Sequence, residues 1–161
     1  MFRQMRRFKQ EQDKETCINI LKTEKRGVLS LSGDDDYPYG IPINFFYDED
    51  NNKIIFHGAG EGHKIDAIKR NNKVSFCTWN KGEQVEGQWY YKVISVIVFG
   101  KIKMVEDGEY KVSLLRKLGQ KYYPKKEEVE IEINKDLHRV TLLELEIEHM
   151  TGKIVEERWT K

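Results

Sequence analysis

The sequence predicts an α+β fold, mainly β, organised as an antiparallel barrel with flanking helices. Three observations lead there. Strand-length apolar runs follow one another across short turns, with few helical stretches between them. The run over residues 89–105 places Ile94, Val96 and Val98 on one face and Val93, Ile97 and Phe99 on the other. Both of its faces are therefore expected to be buried, one in a barrel interior and one under a helix or second subunit. Finally, Leu143, Leu145 and Ile147 alternate strictly with Glu144, Glu146 and Glu148, the pattern of a half-buried strand.

Composition narrows the class. The 161 residues read as one domain that includes a basic N-terminal arm over residues 1–14. Twenty-eight Lys and Arg against 27 Asp and Glu leave a net charge of +1, which argues against a nucleic-acid binder working through a broad basic surface. Cys17 and Cys77 lie far apart and form no CxxC pair, as in a reduced, cytoplasmic protein. No apolar run approaches the roughly 18 to 20 residues that cross a bilayer, and residues 1–14 lack the apolar centre of a signal peptide.

Taken in order, Arg3, Arg6, Arg7 and Lys9 are followed at once by Glu11, Asp13 and Glu15, which favours a solvated or partner-clasping arm over one binding nucleic acid. Cys17, Ile18 and Leu21 give a short helical stripe, expected to end near residues 25–26 with Gly27 as its stop. Residues 28–32 read as a strand. Asp34, Asp35 and Asp36 then form a solvated turn, since the glycine and downstream glutamate of a calcium loop are missing. A strand over residues 39–47 contains Pro42, which cannot donate to a ladder and so marks an edge or a bulge. A hairpin turn at 48–52 leads into a strand at 53–57, and a glycine-rich turn then opens a short helix at His63. Asn71 and Asn72 form the next turn, and 74–79 is a strand. Residues 81–87 are polar. Helical spacing of Val112, Leu115 and Leu118 predicts a helix over 109–122, with Pro124 as its end. Residues 125–138 carry both signals: Val129, Ile131 and Ile133 alternate, yet dense Glu and Lys tip the segment toward helix.

The chemistry concentrates in the turn after residue 57. Gly58, Gly60 and Gly62 allow close backbone approach, and the helix that follows begins with His63 and Lys64. Cations at a helix N-terminus are mildly repelled by its dipole unless an anion sits nearby, and Glu61 is the one acidic residue in the turn. A bound phosphate would resolve the conflict. The dinucleotide fingerprint and the P-loop do not fit, because each needs glycine where His63 stands. His57 and His63 have no neighbouring ligand at a standard metal spacing, and no serine or cysteine sits in a nucleophile motif. Trp79, Trp89, Tyr90 and Tyr91 suit core or interface packing, with stacking on a planar ring as the alternative.

Four blocks of residues carry a resemblance to a known family. They are Tyr37-Pro38-Tyr39-Gly40-Ile41-Pro42-Ile43-Asn44-Phe45; Phe56-His57-Gly58-Ala59 with Glu61-Gly62-His63-Lys64; Ser95-Val96-Ile97-Val98-Phe99-Gly100; and Glu146-Ile147-Glu148-His149-Met150-Thr151-Gly152-Lys153. In this order and spacing, from about Met5 to Lys153, the chain resembles the pyridoxamine 5′-phosphate oxidase-related FMN-binding split-barrel proteins, and within them the nitroimidazole-resistance branch. The resemblance implies a six-stranded antiparallel Greek-key split barrel that forms a homodimer, with FMN in a groove at the subunit interface. It implies that the backbone of Pro42, Ile43 and Asn44 lines the isoalloxazine edge. His57, Gly58 and Ala59 would pass beneath the ring and ribityl chain, His63 and Lys64 would hold the phosphate, and Ser95 and Val96 would add contacts. The activity it implies is an FMN-dependent oxidoreductase passing electrons from a reduced nicotinamide, NAD(P)H, to a small aromatic or nitro-type acceptor. The alternative is a non-catalytic flavin- or haem-binding protein of the same fold. No catalytic acid or base is assigned, and no metal is expected.

Overall fold

The computed structural model describes residues 1–106, 108–123 and 125–157. It comprises nine strands: β1 (Glu11–Gln12), β2 (Arg26–Ser32), β3 (Pro38–Asn44), β4 (Phe46–Asp48), β5 (Lys53–Gly58), β6 (Lys73–Trp79), β7 (Glu83–Gln84), β8 (Tyr91–Met104) and β9 (Thr141–Glu157). The α-helices are α1 (Lys14–Thr23), α2 (His63–Arg70), α3 (Glu109–Tyr122) and α4 (Lys126–Asp136). The antiparallel sheet runs β3-β2-β6-β8-β9-β5-β4, with β1 added to β9 and β7 to β8. Its two ends, β3 and β4, are consecutive in the chain and separated only by Phe45. The seven strands are thus a six-stranded barrel in which one strand is split, its first half paired with β2 and its second with β5.

Phe45 marks the split because its backbone leaves the sheet. Its N–H and C=O instead meet the Tyr122 hydroxyl at 2.8 and 2.7 Å, while its ring is buried edge-on against Phe76. Inside the barrel, Leu29, Leu31, Ile54, Phe56, Val96 and Val98 converge with Cys17, Ile20 and Leu21 of α1 and Ile65, Ala67 and Ile68 of α2. A second cluster lies outside, where α3 and α4 cover Ile55 of β5 and Leu142 of β9. The alternation of β5 divides the two, Ile54 and Phe56 facing in and Ile55 facing out.

Several sequence expectations need correction. Gly27 does not stop α1: the helix ends at Thr23, Glu24 is already extended, and Gly27 lies within β2 opposite Ile43. A Cβ there would run into the Phe76 ring, so packing accounts for the glycine. The two faces of β8 are not both buried. Val96, Val98 and Ile102 face the core, whereas Ile97 and Phe99 are exposed. The basic arm crosses that outer face, with Phe2 stacked on His149 at 4.6 Å and tilted against Phe99 at 5.6 Å. Trp89 is 91 % exposed and so takes no part in the core.

Other expectations hold. Residues 109–122 are helical, 125–138 contain α4, and Pro42 lies on a strand at the end of the sheet. Pro124, expected to end α3, lies outside the described residues. The alternation on β9 is interrupted by a bulge: Phe99 pairs with His149 but Gly100 with Ile147, leaving Glu148 unmatched. A Cβ on Gly100 would meet the Glu146 carbonyl, so the irregular pairing requires glycine. No helix among the described residues is long and apolar enough to cross a membrane.

Candidate functional site

The glycine turn delivers the chain from β5 to α2 with Gly62 at φ 100°, a conformation that favours glycine. Gly62 is the N-cap and offers no side chain to the helix. Its carbonyl accepts from the N–H groups of Ile65 and Asp66 at 2.8 and 3.1 Å. The N–H groups of His63 and Lys64 come before any intrahelical acceptor, so this end of the helix presents donors outward.

His63 and Lys64 then diverge. His63 stacks on Tyr39 of β3, with ring centroids 4.1 Å apart, and its Nε2 lies 3.5 Å from Asp34. Asp34 also pairs with Arg70 at 2.7 Å. One carboxylate of the aspartate turn therefore ties that turn to both ends of α2, and no group of three or more metal-ligating side chains occurs among the described residues. Lys64 turns the other way, over the end of β5, where its Nζ lies 2.6 Å from the position a Cβ on Gly58 would take. The lysine is half-buried and has no hydrogen-bond or ion-pair partner among the described residues. Desolvation lowers its pKa from the ordinary 10.5. The same crowding, and secondly the charge of Lys64, lowers the pKa of His57, so its imidazole is neutral at physiological pH.

β3 and β5 approach one another in a seam across the split at Phe45. Phe46 pairs with Ile55 and Tyr47 with Ile54. Beyond Phe45 that pairing ends: Asn44, Ile43 and Pro42 pair instead with Arg26, Gly27 and Val28 of β2, while His57 and Gly58 run on to the end of β5. β3 and β5 are not hydrogen-bonded partners in the sheet, so their facing edges leave backbone groups free for a bound molecule. Pro42 has no N–H to offer, and its ring is exposed. His57, Gly58 and Ala59 form one wall of a cavity, with Lys64 laid over Gly58, while Pro42 lines a surface pocket together with Val28 and Trp79.

His63, Ser95 and Val96 lie elsewhere. His63 faces the aspartate turn. Ser95 and Val96 lie on β8, paired across the sheet with Trp79 and Thr78. Val96 is fully buried in the barrel, which leaves only its backbone for any contact outside; Ser95 faces the surface beneath the N-terminal arm, beside Met1, Phe2 and Ile97.

Sequence reasoning missed the helical side of the site. A cavity of 440 Å³ lies between the 57–59 wall and the α3–α4 hairpin. Its lining comes from segments some 60 to 80 residues beyond the glycine turn, which leave no local motif to read. Tyr122, which pins the hairpin to the seam, had only an unremarkable Tyr-Tyr pair as a signal.

A family model described as pyridoxamine 5′-phosphate oxidase matches residues 13–154. No curated protein matches the chain in sequence. Among solved structures, a proposed 5-nitroimidazole antibiotic resistance protein from Bacteroides thetaiotaomicron has 24 % identity and a TM-score of 0.74, over 90 % of this chain and 86 % of its own. An FAD-binding protein from Mycobacterium smegmatis has 22 % identity and a TM-score of 0.61, over 90 % and 98 %. An FAD- and haem-binding protein from the same organism has 16 % identity and a TM-score of 0.71, over 94 % and 76 %. At these identities the neighbours speak for the fold.

Proposed function

The chain belongs to the pyridoxamine 5′-phosphate oxidase family, and from that premise we propose that it binds FMN along the β3–β5 seam and acts as an FMN-dependent oxidoreductase. The observation that carries the proposal is Lys64: a half-buried ammonium with no anionic partner, laid over Gly58 beside the uncapped start of α2. An unpaired buried charge is costly, and an anion supplied by a ligand would offset that cost. The residues fit a flavin phosphate at one end and a flat ring at the other, where the free edge of β3 runs past Pro42, Ile43 and Asn44.

Bound there, a flavin supplies hydride and electron transfer. Lys64 holds the phosphate as a point charge, with the N–H groups of His63 and Lys64 as additional donors. His57, kept neutral, both donates and accepts hydrogen bonds beside the ribityl chain without competing for the phosphate. Gly58 and Ala59 keep that wall low enough for a ring to lie against it. The donor in this reading is NAD(P)H, and the acceptor is a small aromatic or nitro-type molecule. The protein works as a homodimer, its partner meeting the Ile97 and Phe99 face together with the N-terminal arm that crosses it and completing the groove.

Flavin fluorescence titration of the purified protein, with FMN and FAD compared, tests the cofactor. Saturable FMN binding that weakens in Lys64→Ala is the expected result; a folded protein that binds neither flavin would sink the proposal. Oxidation of NADH and NADPH with a panel of nitroaromatic and quinone acceptors tests the activity. Flavin binding without turnover under any acceptor would favour the second reading, a non-catalytic flavin- or haem-holding protein. The neutral His57 at an apolar cavity supports that alternative, since it suits a haem ligand.

A further inference from the structure

The cavity under the α3–α4 hairpin does not include Lys64 in its lining. Leu115, Leu118, Val129, Ile133, Leu137 and Val140 make its lining mainly apolar, and His57, Gly58 and Ala59 form its wall toward the seam. At 440 Å³ it falls within the range of small-molecule pockets and far above the voids left by ordinary side-chain packing.

Loose packing of the hairpin does not account for it. The two helices are drawn together where a Cβ on Gly119 would stand 2.6 Å from Val129 Cγ1. On the outside, Arg116 grips Glu130 with two hydrogen bonds of 2.6 and 3.1 Å. At the end of α3, Tyr122 bonds to the backbone of Phe45. A hairpin held at three places and packed on Ile55 still leaves a space at the end of β5, against His57, Gly58 and Ala59.

The charges at the mouth restrict the occupant. Glu132 and Asp136 lie one helical turn apart on α4, and Arg139 follows. Two carboxylates against one guanidinium disfavour an anion, and Lys64 is not in the lining to offset them. A fully charged cation would have to give up water to enter an apolar space.

We propose that this cavity is a binding site for an uncharged, one- or two-ring apolar molecule, separate from the seam. Its identification as the acceptor site rests on the flavin reading above; the existence of the site does not. An occupant stands against the His57–Ala59 wall, next to the groove proposed for the cofactor.

The test uses N-phenyl-1-naphthylamine, a neutral fluorescent ring compound, with the full chain. Saturable binding to the wild type is expected. Val140→Phe and Leu137→Phe, both at partly buried positions where a larger ring enters the cavity, should weaken it about tenfold or more while thermal unfolding and FMN affinity stay near wild type. Lys64→Ala should do the reverse, weakening FMN and sparing the probe. No saturable probe binding, or probe binding unchanged in both phenylalanine variants, overturns the site. Displacement of the probe by FMN overturns its separateness. Probe binding without any FMN binding leaves this site standing and removes the flavin reading instead.

Discussion

The ammonium of Lys64 lies where a side chain at position 58 would begin, 2.6 Å from a Cβ built on Gly58. Gly58 is in ordinary strand conformation, so alanine there is resisted by Lys64 and not by the backbone. Gly58→Ala should therefore displace the ammonium and mimic Lys64→Ala. A hydrogen bond to a charged group contributes about 1.5 to 3 kcal/mol, so each variant should weaken FMN binding about tenfold to a hundredfold. Because both act through one charge, the double variant should bind about as weakly as Lys64→Ala alone. Titration of FMN into the three variants checks this; losses that add would separate the two residues.

The lowered pKa of Lys64 gives the same site a pH dependence. Deprotonation removes the charge that holds the phosphate, so FMN affinity should fall as pH rises, and begin to fall earlier than it would for an ordinary lysine. Binding by Lys64→Ala should be flat over the alkaline range. Parallel titrations of the two proteins measure the difference, and parallel curves would show that Lys64 is not the titrating group.

Tyr122 offers a structural test of the split in the barrel. Its hydroxyl accepts the Phe45 N–H at 2.8 Å, and its single proton goes to the Phe45 carbonyl at 2.7 Å or the Lys25 carbonyl at 2.6 Å. Tyr122→Phe leaves a backbone N–H without a partner where the strand breaks. The cost should be about 1 to 3 kcal/mol, and at about 2 to 4 °C per kcal/mol for a chain of this size the melting temperature should drop accordingly. Amide exchange at Phe45 should accelerate more than exchange within β8.

How the sequence revealed some of this and concealed the rest has a physical cause. Leu143 and Leu145 announced their strand because alternation is local, and Pro42 announced an edge because a missing N–H is a property of one residue. Lys64 was legible for the same reason: a cation at a helix start is a conflict visible over four residues. The seam was not, since it depends on Phe45 surrendering its backbone to a tyrosine 77 positions away. His63 looked equivalent to Lys64 in sequence, yet the roughly 100° between successive residues on α2 sends it to Tyr39 and Asp34. Glu144 read as the solvent side of an alternating strand. It is buried, because α3 covers the outer face of β9 there and brings Tyr110 onto it.

That buried carboxylate should govern acid stability. Burial alone would raise the pKa of Glu144, but hydrogen bonds from Lys53 at 3.0 Å, Lys103 at 3.1 Å and Tyr110 at 3.0 Å outweigh it and hold the pKa below 4.5. The group is charged in the folded state under conditions where the unfolded chain has begun to take up its proton. Its contribution is fully present above the unfolded value and is lost as pH falls through the folded one. Glu144→Gln should cost about 2 to 4 kcal/mol at neutral pH, with the gap to wild type closing in acid. Urea denaturation at both pH values reads this directly; a gap that does not narrow would assign the loss to packing.

Lys121 should act at the other end of the scale, at alkaline pH. Its ammonium sits 4.0 Å from the centre of the Phe45 ring and donates to the carbonyls of Glu24 at 2.5 Å and Leu21 at 3.4 Å, closing the end of α1. These contacts do not fully replace the water it has lost, and desolvation lowers its pKa from 10.5 to about 8. Below that value both folded and unfolded chains are protonated, and the folded state bears the full cost of the buried charge. Between about 8 and 10.5 the unfolded chain binds more protons than the folded one, so the contribution of this residue to stability rises with pH. Lys121→Met keeps most of the side-chain length and removes the titration. Relative to that variant, the wild type should gain stability on going from about pH 7 to about pH 10, whatever other groups do to both proteins. A difference between the two that stays constant over this range would mean that the lysine beneath Phe45 is solvated well enough to keep an ordinary pKa. The barrel split would then be open to water on its α1 side.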